Sequence, residues 1–255
     1  MSSISAILHG DSKAGKSTAA YSMPAPRLLI DAEKAHRWLP GRKLFWDPVT
    51  QAPPEPPEQL ADGTWNWETC VVIVRNWLTF ERAYQWLNTS PHPFKSVIID
   101  SITEIQVKIK EQLTNGDLEQ KLAYDGWNTV MVRTEGLSRD FRDLTEHPTN
   151  PISVAITAMT EFKDGKWRPA VQGQAGKKLP YFFDIIGYCY KERIINPMDP
   201  SDIRIAHRVL TGFDPNIIVG ERVNGILPDD KKLPNVFENL NFTTILRDAF
   251  PESVV

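Results

Sequence analysis

The run Gly10-Asp11-Ser12-Lys13-Ala14-Gly15-Lys16-Ser17 satisfies the pattern G-x-x-x-x-G-K-[ST] in full. No other feature constrains the fold so tightly, because the pattern works only between a strand and a helix. Both flanks are present: Ser5 to Leu8 is a short apolar run, and Thr18 to Met23 continues with helix-compatible residues until Pro24 and Pro26 stop them. Glycines let the backbone from Gly10 to Thr18 curl so that successive N–H groups converge on phosphate oxygens. Lys16 brings a point charge to the β/γ-phosphates, and Ser17 offers its hydroxyl to Mg²⁺. Lys13, inside the loop, either adds charge at the ligand or faces solvent.

The rest of the chain supplies the other layers. Strands are expected at Arg27 to Ile30, Cys70 to Val74, Ser96 to Ile99 and Ile152 to Ile156, and helices at Phe80 to Leu87, Ile102 to Leu113 and Tyr124 to Leu144. Later strand candidates are Ile185 to Tyr190, Ile203 to Leu210 and Ile217 to Val219, followed by a closing helix from Phe242 to Phe250. Strands alternating with helices, then strands in succession, predict an α/β fold with a mainly parallel sheet and antiparallel strands added late. Residues 40–68 break the pattern: Pro53-Pro54, Pro56-Pro57 and Gly63 predict an irregular insertion. There, Trp65 and Trp67 read as a local hydrophobic anchor in preference to a base-stacking platform.

At 255 residues, with 41% hydrophobic and 24% charged content, one α/β domain spanning 1–255 is the expectation. A net charge of −3 gives no bulk signal for nucleic acid, although a local basic strip can still bind phosphates. The two cysteines, Cys70 and Cys189, cannot build a zinc site or a disulfide framework, which predicts a reducing, cytoplasmic setting. Met1 to Gly10 is too short for a signal peptide, and no apolar stretch approaches a membrane span.

Two carboxylates complete the candidate site. Asp100 ends the Ser96 to Ile99 strand at the carboxyl edge of the sheet, where ligands bind in open α/β folds. There it supports Mg²⁺, or else it caps the helix from Ile102. Glu33 follows the second strand at the same edge and is placed to orient or deprotonate a water; the plainer alternative is an i,i+4 pair with Arg37. The polar segment Glu161 to Gln174, with Asp164-Gly165 as a turn, reads as a hairpin or mobile loop. It carries Lys163, Lys166, Trp167 and Arg168, cations beside an aromatic, as a single-strand groove requires; a hairpin whose Trp packs on the sheet is the competing reading.

Ile30-Asp31-Ala32-Glu33-Lys34-Ala35 resembles the RecA-type segment in which the Glu is the catalytic base, and Ile98-Ile99-Asp100-Ser101 resembles the magnesium strand of that family. Tyr124-Asp125-Gly126-Trp127 and Leu179-Pro180-Tyr181-Phe182-Phe183-Asp184 look like phage-encoded RecA-like ATPases, which include single-strand annealing proteins of phage recombination systems. The resemblance runs from Ser5 to Pro228. It implies a three-layer core, ATP and Mg²⁺ as ligands, and single-stranded DNA as partner. It also implies assembly into a ring or filament, and work beside a single-strand-binding protein or other replication proteins. It further implies that Lys177 and Lys178 reach a neighbour's γ-phosphate. Arg222 resembles the arginine finger of ring helicases, although Gly220 replaces that motif's lysine; a solvated turn is the alternative for all three. One departure stands out: Met159 occupies the place of the polar γ-phosphate sensor, leaving Thr157 or Thr160 as substitutes. A ring-forming helicase or loader and a nucleotide-gated protein switch without DNA contact remain alternative functions.

Overall fold

The computed structural model describes residues 3–117, 119–172, 175–196 and 198–251. One sheet runs through it. Its parallel heart contains β1 (Ser5–Gly10), β2 (Arg27–Asp31), β4 (Thr69–Ile73), β5 (Ser96–Asp100), β6 (Ser153–Lys163) and β8 (Ile185–Asn196), with β3 (Lys43–Phe45) as a parallel edge strand. Antiparallel additions are β7 (Lys166–Pro169) on β6, β9 (Asp199–Leu210) and β10 (Gly220–Glu221) on β8, and β11 (Val236–Glu238) on β9. The order β11-β9-β8-β1-β6-β5-β2-β4-β3 places β6 between the phosphate-loop strand and the Asp100 strand.

Strand alternation sorts the apolar side chains onto two faces. Ile7, Leu28, Ile30, Val97, Ile99, Val154 and Ile156 pack under α2 (Trp77–Thr89), α3 (Ile102–Leu113) and α4 (Tyr124–Asp143). Ala6, Leu8, Leu29, Ile98 and Ala155 face the other way, onto α1 (Lys16–Ala20) and α5 (Phe242–Ala249). Helices on both faces leave the inner lengths of these strands buried, which is why they read as continuous apolar runs. The molecule is therefore the three-layer, mainly parallel α/β fold expected from the sequence, with its antiparallel strands late in the chain.

Several boundaries move. The expected strand at Ile217 to Val219 is only a single bridge from Ile217 to Trp167, and the strand forms instead at Gly220–Glu221. The sixth strand runs past Ile156 to Lys163, because its outer end is paired in a hairpin with β7 across the Asp164-Gly165 turn. Of the expected loop Glu161 to Gln174, Gly173 and Gln174 lie outside the described residues. The insertion at 40–68 is irregular except for β3, and it is fastened by its tryptophans: Trp46 meets Trp86 at 4.8 Å and Trp67 meets Phe94 at 6.0 Å between ring centres. Trp67 is thus the anchor expected, whereas Trp65 stays 44% exposed. Among the described residues no helix is long and apolar enough to cross a membrane.

Candidate functional site

The carboxyl ends of β1, β2 and β5 meet at one edge of the sheet, and the chemistry-bearing residues gather there. Gly10 closes β1 so near its neighbour that an added Cβ would lie 2.1 Å from the Cys189 carbonyl oxygen. Gly15 has φ 97°, a left-handed conformation that glycine adopts at little cost. The loop between them turns into α1. Lys16 is buried, and its ammonium donates to the carbonyls of Gly10 (3.0 Å) and Asp11 (2.7 Å), with Met159 Sδ at 3.8 Å. Burial lowers its pKa, and the nearby Glu33 and Asp100 carboxylates oppose that shift. Lys13 is exposed.

Asp100 is buried in the sheet edge, and Ser101, not Asp100, caps α3 by accepting from the Glu104 N–H (3.3 Å). The capping alternative therefore falls. The Thr157 hydroxyl donates to Asp100 Oδ1, while Asp100 Oδ2 is buried with no hydrogen-bond partner. Burial raises the Asp100 pKa, with the Ser17 and Thr157 hydroxyls acting in the other direction. A buried, unpartnered carboxylate oxygen beside the loop's hydroxyl suits Mg²⁺, which binds one or two carboxylates together with substrate phosphates and keeps several waters. Among the described residues there is no cluster of three or more His, Cys, Asp or Glu that would form an all-protein cage.

Glu33 stands on the loop after β2, exposed, and accepts a short hydrogen bond from the buried Ser101 hydroxyl. No Glu33–Arg37 ion pair forms among the described residues. The loop itself is organised by Asp31, a residue the sequence reading passed over. Its buried carboxylate accepts from the backbone N–H of Glu33 (3.1 Å), Ala35 (3.1 Å) and His36 (3.0 Å), and from His36 Nδ1. Ala32 N–H adds a bond to the Asp100 carbonyl (2.7 Å), tying the two acidic strand ends together. Asp31 sits at a strand end just as Asp100 does, and that shared position was the available signal.

Met159, the residue that the resemblance puts in the sensor's place, has its sulfur 3.8 Å from the Lys16 ammonium. Neither threonine is free to replace it: Thr157 serves Asp100, and Thr160 donates to the Arg168 carbonyl (3.2 Å) beside His9 Nδ1 (3.2 Å). His9 is buried and gives its Nε2 proton to the Ile218 carbonyl (2.8 Å). Burial pushes its pKa down to about 4, so the ring is neutral.

The β6–β7 hairpin divides the four residues expected at DNA. Lys163 and Lys166 are exposed at its turn, and Trp167 is 38% exposed against Phe162, 60% exposed, with ring centres 5.3 Å apart. Phe162 was not foreseen. Arg168 corrects the expectation: it is 3% exposed and paired to Glu161 (3.0 Å) and Asp164 (3.4 Å), so it braces the hairpin and is not open to a ligand. The candidate trans-acting cations do not join the loop within one chain. Lys177 pairs with Asp164 (3.4 Å) and Lys178 with Glu135 (3.1 Å). Arg222 lies at the opposite sheet edge, bonded to the carbonyls of Asp184 and Tyr181 and lining a cavity of about 500 Å³ with Arg142 and Asp184.

A phosphate loop, a strand-end carboxylate and a mainly parallel sheet agree with the comparison of the chain to protein families, in which the model of an AAA domain matches residues 2–216. The chain belongs to the AAA domain family. It is accordingly an AAA-type, nucleotide-binding P-loop domain of the ATPase kind. No curated protein matches it.

Proposed function

We propose that this AAA-domain protein hydrolyses ATP and uses the nucleotide state to handle single-stranded DNA during recombination or replication. The observation that carries the hydrolytic half is the convergence of Lys16, Ser17, Asp100 and Glu33 on one sheet edge, with Asp100 Oδ2 buried and unpartnered. Lys16 exchanges the Gly10 and Asp11 carbonyls for phosphate oxygens, and the loop N–H groups position the chain of phosphates. Ser17 and Asp100 would hold Mg²⁺, which supplies charge neutralisation at the β- and γ-oxygens. Glu33, held by Ser101 and by the Asp31-ordered loop, takes a proton from the attacking water. The exposed Phe162–Trp167 pair, one rung in from Lys163 and Lys166 at the hairpin turn, supports the DNA half, offering rings for bases beside charge for phosphates. Lys177, Lys178 and Arg222, remote or paired within one chain, fit a role toward a neighbouring copy in a ring or filament.

Met159 above Lys16 favours a second reading, a nucleotide-gated protein switch, because a thioether cannot report the γ-phosphate by donating a hydrogen bond. Measuring ATP hydrolysis with and without single-stranded DNA, beside Glu33→Gln, separates the two. DNA stimulation that disappears in the variant supports the first; turnover indifferent to DNA moves the conclusion to the switch.

A further inference from the structure

The sheet order gives the nucleotide a direction. Glu33 and Asp100 stand at the ends of β2 and β5, on the β6 side of the phosphate loop, so the phosphate under attack lies on that side. The rest of the nucleotide must then leave the loop toward β8 and β9, on the other side of β1. There the sheet does not stop at the loop. The strand β8 is paired with β1 as far as Gly10↔Cys189 and then continues to Asn196, with β9 returning beside it. One face of this projecting hairpin carries Cys189 and Val209, which pack in the same core cluster as Ala14 and Ala19 of the loop and α1. Further out on the same face stand the pairs Lys191↔His207 and Arg193↔Ile205, all exposed. His207 is the nearest to the phosphate loop: a Cβ added to Gly15 would lie 3.1 Å from His207 Nδ1.

We infer that this face of the β8–β9 hairpin is the nucleoside-binding wall of the site, with His207 against the base or ribose and Lys191 beside the phosphate nearest the sugar. The inference rests on the ATPase reading and extends it to the end of the nucleotide that the phosphate loop does not read. The chemistry suits that occupant. His207 offers a flat ring, Ile205, 55% exposed, offers apolar surface, and Lys191 and Arg193 have no ion-pair partner among the described residues. On the opposite face, Arg204 and Arg208 are neutralised by Glu192 and Glu238.

The test uses the full chain with a fluorescent ATP analogue, displaced in turn by ATP, ADP, GTP and inorganic tripolyphosphate. For His207→Ala the affinity for ATP and ADP should fall about tenfold while that for tripolyphosphate holds, and KM should rise with kcat unchanged, the mark of uniform binding lost. A changed ATP-to-GTP ratio in His207→Gln supports the same assignment. The variant should melt with the wild type, since the side chain is exposed. Unchanged ATP affinity, an equal loss for tripolyphosphate, or weakened binding of single-stranded DNA with nucleotide binding intact would overturn it. Lys16→Ala keeps the two conclusions apart. If it abolishes binding that His207→Ala leaves intact, the ATPase reading stands and this one falls; a wild type that binds no nucleotide removes both.

Discussion

The two flanks of the phosphate loop are built in opposite ways. On the β5–β2 flank Asp31 and Asp100 sit in the sheet edge and each acidic group is held: Asp31 accepts four hydrogen bonds, Thr157 holds Asp100, and Ser101 holds the exposed Glu33. On the other flank the β8–β9 hairpin, and above the loop the tip of β6–β7, carry exposed cations and rings with few partners. Under the proposed function, the difference follows from what each flank would do. Proton transfer needs a base held to a fraction of an ångström, which buried hydrogen bonds provide. Recognition of a flexible ligand needs surface left open, which buried hydrogen bonds would close.

The sharpest way to break this contrast is at Glu33. Glu33→Gln should lower kcat by about 10²–10⁴-fold with ATP affinity retained, as expected for loss of a general base. A variant with wild-type turnover would place the base elsewhere. Asp31→Ala attacks the fastening itself. Three backbone donors and His36 lose a buried acceptor, and we expect a loss of about 3 kcal/mol in chemical unfolding together with slowed hydrolysis.

Acid should loosen β1, the strand that leads into the phosphate loop and carries the buried His9. The His9 pKa is about 4 in the folded chain against an ordinary 6.5, so below pH 6.5 the unfolded chain binds a proton that the folded one refuses. The stability from neutral His9 is complete above pH 6.5 and is lost as pH falls toward 4, up to ~3 kcal/mol. Thermal melts from pH 7.5 to 4 should show the decline, and His9→Gln should flatten it.

The exposed side predicts smaller and more selective effects. Replacing Lys163, Lys166 and Trp167 together should weaken single-stranded DNA binding by about tenfold or more and leave the melting temperature nearly unchanged. Arg168→Ala should do the reverse, lowering stability because Glu161 and Asp164 lose their buried partner. Equal DNA loss in both variants without destabilisation would return Arg168 to the binding surface. Smallest of all, Lys177→Ala removes an exposed pair and should change stability by less than about 0.5 kcal/mol; any loss of hydrolysis would then report contact with a neighbouring copy.

How far the sequence could be read varied with the range of the interaction. The loop from Gly10 to Ser17, the helix Ile102–Leu113 and the buried parallel strands were legible, since glycine placement, helical period and continuous apolar runs are local signals. Arg168 was misjudged because a cation beside Trp167 looks the same whether it faces a ligand or its own hairpin; only the pairing of β6 with β7 brings Glu161 and Asp164 to it. Asp31 was overlooked for a similar reason, since its value lies in three N–H groups of a turn whose shape the sequence did not declare.

The sequence by itself thus determined the layered α/β core and the identity of the phosphate loop, because both depend on patterns within a few turns of chain. Tertiary structure alone decided the rest. It joined Glu33 to Ser101 across two strands and left Asp100 Oδ2 buried without a partner. It also laid His207 against Gly15, residues nearly 200 positions apart. Those decisions come from sheet order, and sheet order is settled by which apolar faces pack together, a property of the whole chain that no local stretch contains.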